Sequence, residues 1–109
     1  MPLTKSFKDT VKARAGRDPE FRAGLFREAL EALLDNDLET GKILLRDYVN
    51  ATVGFEALGR GLNKNPKSLM RMLSGKGNPR AENLLAIIAW LKRREGVSLT
   101  VTRDMKLSA

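Results

Sequence analysis

Residues 54–91 read GFEALGRGLNKNPKSLMRMLSGKGNPRAENLLAIIAWL, and within them two short helices meet at a tight turn. The first is expected over 55–62 and the second over 66–73, with Asn63-Lys64-Asn65 between them. Asn63 stands where the chain must leave a helix and reverse, and Asn tolerates the left-handed conformation that such a turn requires. Asn65-Pro66 then restarts the helix, a capping side chain followed by a preset φ. Gly59 lies in the middle of the first helix, where Gly costs about 1 kcal/mol relative to Ala. A missing side chain at the crossing lets the second helix approach. In that second helix Leu69, Met72 and Leu73 can face a core, which leaves Lys67, Ser68, Met70 and Arg71 outside. A loop over 74–79 follows, then a long helix over 80–95 whose Leu84, Leu85, Ile87, Ile88 and Leu91 face inward, ended by Gly96.

The flanks are also helical in pattern. Asp18-Pro19-Glu20 combines an N-cap, a proline at the first helical position and an acid that complements the dipole. From there Phe21, Leu25, Ala29 and Leu33, with Phe26, Leu30 and Leu34 beside them, give a broad apolar stripe up to Asp35-Asn36-Asp37. A helix over 38–51 places Leu38, Ile43, Leu44, Leu45, Tyr48 and Val49 mostly on one side, and Thr52-Val53-Gly54 closes it. The first 17 residues carry only Leu3, Phe7 and Val11 at four-residue spacing, the pattern of a short or frayed helix. Residues 97–102, VSLTVT, alternate apolar and β-branched polar side chains and predict a strand. With no second strand in the chain to join, the segment is expected to pair with a second copy or to pack against the long helix beside Trp90.

Composition narrows the chemistry. A chain of 109 residues allows one domain of ordinary size, and 42% hydrophobic with 30% charged residues is enough apolar material for a core. The absence of Cys and His excludes disulfide scaffolds, thiolate nucleophiles, zinc fingers and Ser-His-Asp triads. No Gly-rich phosphate loop or metal-ligand cluster stands in their place, so neither an enzyme nor a cofactor or metal site is expected. No apolar run approaches the length of a membrane span, and the start, MPLTKSFKDT, lacks the apolar stretch of a signal peptide; a cytoplasmic location is expected. The net charge is +7, and its distribution is uneven. Residues 1–39 hold seven basic and eight acidic side chains, whereas residues 40–109 hold thirteen and five, so all the surplus lies in the second part. Such a surface favours polyanions. Glu28, Glu31, Asp35 and Asp37 spread over the exposed side of a helix and its exit loop, a solvated face, and Lys92-Arg93-Arg94 suits a helix C-terminus whatever the function.

Taken as a whole, residues 54–91 resemble the helix-turn-helix core of the phage-repressor-like family of DNA-binding proteins (Cro and repressor type, or Xre type). Leu58 and Gly59 occupy the Leu-Ala positions of the family's second helix, Asn63 its turn Gly, and Asn65 the cap of its recognition helix. Leu69 and Met72 fill its buried Ile positions, and Gly75-Lys76-Gly77-Asn78-Pro79 resembles its Gly-Lys-x-x-Pro loop. Upstream, FREALEALLDNDLETGKILLRDYVNA at residues 26–51 is similar to the helix pair of addiction-module antidote (antitoxin) proteins, which pair a helix-turn-helix with an operon-encoded toxin. The chain departs from the family at Pro66, where a base-reading Gln is frequent, and at Asn63. It departs from the antidote group at Thr52-Val53-Gly54 and Gly61-Leu62-Asn63.

The resemblance implies an all-α fold: a five-helix, repressor-like helix-turn-helix domain with an N-terminal helical extension and a short C-terminal β-strand. The extension spans residues 1–37 and packs on the core; the DNA-binding domain with its strand spans 38–109. Lys67, Ser68 and Arg71 fall at i, i+1 and i+4 near the helix N-terminus, the end that a recognition helix inserts into the major groove. Asn65, Lys67, Ser68 and Arg71 are therefore the candidates for base edges, Arg71 foremost, with Asn65 also able to cap instead. Lys64, Lys76, Asn78 and Arg80 bracket that helix and are candidates for phosphates. Trp90, Val97, Leu99 and Val101 are the candidates for a homodimer contact. The implied function is a sequence-specific repressor on a palindromic operator in double-stranded DNA, one that autoregulates its operon and binds a toxin through the nearly neutral N-terminal part. The alternatives are a stand-alone prophage-type repressor and a small basic module for RNA or protein.

Overall fold

Asp18, Asp37 and Asn65 each stop one segment and start the next, because their side-chain oxygens accept from backbone N–H groups that a helix start leaves unpaired. Asp18 Oδ1 accepts from Phe21 N at 3.1 Å, Asp37 Oδ1 from Thr40 N at 3.2 Å and Asn65 Oδ1 from Lys67 N at 2.8 Å. The computed structural model describes residues 5–104, and in it these caps open three of six helices. The helices are α1 (Lys5–Arg17), α2 (Pro19–Leu34), α3 (Leu38–Ala51), α4 (Gly54–Leu62), α5 (Pro66–Met72) and α6 (Ala81–Glu95). The fold is all-α, and α1 is a full thirteen-residue helix rather than a frayed one. Leu3, read with Phe7 and Val11 as its apolar set, lies outside the described residues.

Three helices also end by one device, a left-handed residue followed by backbone bonds that fold the chain back on the last turn. Asn36 (φ 65°), Asn63 (φ 54°) and Gly96 (φ 73°) are those residues. After α2, Asn36 N donates to Leu33 O and Asp37 N to Ala32 O; after α4, Asn63 N donates to Arg60 O and Lys64 N to Gly59 O. After α6, Gly96 N donates to Arg93 O and Val97 N to Lys92 O. Val97 is thereby turned back to pack against the core. This corrects the strand expected over 97–102: among the described residues there is no strand, and 97–104 have no regular secondary structure. Alternation alone cannot make a strand without an edge to pair with, and the first apolar residue of the pattern closes a helix instead.

The core gathers one or more side chains from each of α2 to α6: Phe26, Ala29 and Leu30; Leu45, Tyr48 and Val49; Phe55 and Leu58; Leu69 and, just past α5, Leu73; Ile87 and Leu91. Phe26 and Tyr48 meet with ring centroids 5.2 Å apart. Leu34, read as part of the apolar stripe of α2, and Leu85, read as inward-facing, are 84% and 62% exposed. Leu34 ends its helix beside the turn. Leu84, Ile87, Ile88 and Leu91 already complete the inner stripe of α6, which leaves Leu85 off its edge.

A polar tie joins the N-terminal helices to α6. The Arg22 guanidinium donates to Glu95 Oε2 at 2.9 Å and to the Ala15 carbonyl at 2.6 Å, while the Tyr48 hydroxyl donates to Glu95 Oε1. Burial pushes the Tyr48 phenol well above its ordinary pKa, and the hydrogen bond and charge of Glu95 push the same way. Four helices are thus fixed around one carboxylate whose partners satisfy it.

Candidate nucleic-acid interface

The placement of α5 depends on two bare α-carbons. A Cβ at Gly59 would lie 2.7 Å from the Lys64 carbonyl oxygen and 3.0 Å from Pro66 Cγ, so only Gly lets the chain re-enter a helix this close to α4. A Cβ at Gly61 would lie 2.2 Å from Trp90 Nε1, so the indole rests on that glycine and joins α4 to α6. The sequence motivated the first and gave no reason for the second, because Trp90 is distant in the chain. With Leu69 and Leu73 fully buried, α5 is anchored on its inner side, and Met72 is only partly covered.

The loop after α5 is fixed from below. Lys42 on α3 is 4% exposed, and its ammonium donates to Ser74 O at 3.0 Å and to Gly77 O. Ser74 Oγ donates to Arg71 O at 2.7 Å and Gly77 N to Ser74 O at 3.0 Å. Gly77 presses so close to the end of α5 that a Cβ would lie 2.1 Å from Arg71 O. Lys42 was not foreseen: within α3 it occupies a position of the inner stripe, with Leu45 and Val49, that an apolar residue would ordinarily take.

The structure brings four of the eight candidate contacts, Ser68, Arg71, Lys76 and Asn78, around one concavity. Lys64, Asn65, Lys67, Met70, Arg71, Lys76, Asn78 and Arg80 are exposed, and Ser68 is half-buried. Ser68, Arg71, Lys76 and Asn78 line an open concavity of about 430 Å³ between α5 and its following loop. Lys64 and Asn65 line another of about 360 Å³ where α4 meets α5, beside Arg60 and Glu56. Lys67 and Arg80 line neither. The Asn65 side-chain oxygen already accepts from Lys67 N as the cap, so a bidentate contact of Asn65 with adenine has to share that oxygen. Met70, unassigned by the sequence beyond facing outward, adds an apolar group to a cationic face, a chemistry suited to a thymine methyl.

The four dimer candidates divide. Trp90 and Val97 are half-buried against this chain's own core, with the Arg94 guanidinium 5.8 Å from the Trp90 ring centre, whereas Leu99 and Val101 are 57% and 98% exposed. Among the described residues no three acidic side chains converge as a metal site would need, and no helix is long and apolar enough to cross a membrane. Comparison with known protein families, with curated proteins and with solved structures finds no match for this chain.

Proposed function

We propose that the chain is a sequence-specific regulator that binds double-stranded DNA as a two-fold dimer, with α4 and α5 acting as a helix-turn-helix. One observation carries this: a short helix, held on its inner side by Leu69 and Leu73 and at its start by Gly59, presents Lys67 and Arg71 outward while the loops at its ends present Lys64, Lys76, Asn78 and Arg80. Arg71 has the donor pair to meet guanine O6 and N7 in the major groove, with Lys67 and Ser68 beside it. The loop cations and the Asn78 amide fix register on the phosphates.

Seven residues make a helix about 10 Å long, which reads only a few base pairs. A dimer presents two such helices about 34–36 Å apart on one face of the duplex, so a palindromic site follows. The exposed Leu99 and Val101 are the segment proposed to meet the second copy. The N-terminal helices, nearly neutral and carrying the exposed Leu34, are the surface proposed for a protein partner, a toxin encoded in the same operon. Enrichment from a random duplex library tests the proposal. The expected result is a palindrome whose half-sites lie about one helical turn apart, bound with an affinity that falls steeply with salt. Enrichment of no sequence overturns it.

A further inference from the structure

We infer that Lys42 is a positioning residue for the phosphate contacts, an assignment that rests on the duplex-binding proposal. Its ammonium reaches Ser74 O and Gly77 O, the two carbonyls that bracket Gly75 and Lys76. Among the described residues it makes no ion pair; the pairs formed are Arg14–Asp18 and Arg22–Glu95. An ammonium buried without a carboxylate is costly, and at this position of α3 a leucine would fill the same space. What the lysine supplies that a leucine cannot is two hydrogen bonds, from one ammonium, to the inner side of one turn.

That turn does little for the core. Gly75 and Lys76 are exposed, and the groups it carries outward are Lys76 and, next along, Asn78. Clamping it fixes where those side chains start from, so less ordering is left to be done on binding. The clamp lies behind the loop, shielded from water, because Lys42 is 4% exposed. The same ammonium links α3 to the end of α5 across 32 residues of sequence.

The test is the salt dependence of duplex binding by the full chain and by Lys42→Met, Lys76→Ala and the double variant, using the duplex enriched from the random library. If Lys42 positions Lys76, Lys42→Met lowers the slope of log K against log salt by about 0.9, the share of one phosphate, and weakens binding about eight-fold at 0.1 M salt relative to 1 M. Adding Lys42→Met to Lys76→Ala then changes little, because the contact is already lost. A Lys42→Met protein that melts earlier but keeps the full slope, and whose loss multiplies with that of Lys76→Ala, reduces Lys42 to a stabilising residue and overturns the inference while leaving duplex binding intact. Should Lys42→Met fail to fold, Lys42→Arg takes its place: it keeps the charge, displaces the donors, and must show the same non-additivity with Lys76→Ala. If the unaltered chain shows no salt-dependent duplex binding, both proposals fall together.

Discussion

At Asn65 a single side chain serves both folding and the proposed interface, and substitution separates the two. Asn65→Ala removes the cap on Lys67 N and should cost about 1 kcal/mol, a fall in Tm of about 4–8 °C for a domain of this size. Asn65→Asp keeps a capping oxygen and should hold the Tm, yet it sets a carboxylate beside the duplex and should weaken binding; thermal melts and titrations on both variants check this. Unchanged binding by Asn65→Asp would place Asn65 away from DNA. Gly61→Ala should destabilise by about 1–3 kcal/mol as the new methyl meets the indole, and the chain's one tryptophan reports it by fluorescence. The caps at Asp18 and Asn65 were legible in the sequence because they act within three residues of themselves, and Asp37, read only as part of a helix break, caps α3 in the same way. Gly61 and Lys42 were not, because their partners lie across the fold on other elements.

Helices were legible wherever at least one end carried a local signal: a cap before α2, α3 and α5, and a left-handed Asn or Gly after α2, α4 and α6. The strand expected over 97–102 was not decidable from its alternation, since a ladder depends on a partner outside the segment. Leu34 and Leu85 went astray for a related reason: a stripe of period 3.6 leaves its edge residues undetermined until the neighbouring helix is in place. The tail is testable as an element. Light scattering on the full chain and on a chain ending at Ser98, which retains Val97 as the closure of α6, should give a dimer for the first and a lower mass for the second. Equal masses would remove Leu99 and Val101 from the interface.

Across the whole molecule, the Arg22–Glu95–Tyr48 tie predicts how stability responds to alkali. The folded state holds the Tyr48 proton more tightly than the unfolded chain, whose phenol titrates near 10. Stability is therefore full below that pH and falls as pH rises above it, by at most about 1.4 kcal/mol per unit. Tyr48→Phe should lose that added slope, and the difference between the two proteins in denaturant melts from pH 9 to 11.5 isolates it. The charge asymmetry was legible at this scale, because residues 40–109 hold the whole surplus, and so was the cationic face of α5. Sequence selectivity lies beyond both, and Arg71 tests it most directly. Competition titrations of the enriched duplex against random duplex should show a strong preference for the intact chain. Arg71→Ala should lose about 1–3 kcal/mol of that preference, a five- to 150-fold fall, while retaining most of its affinity for random duplex. A full preference in Arg71→Ala, or none in the intact chain, would contradict the assignment of α5 as the reading helix.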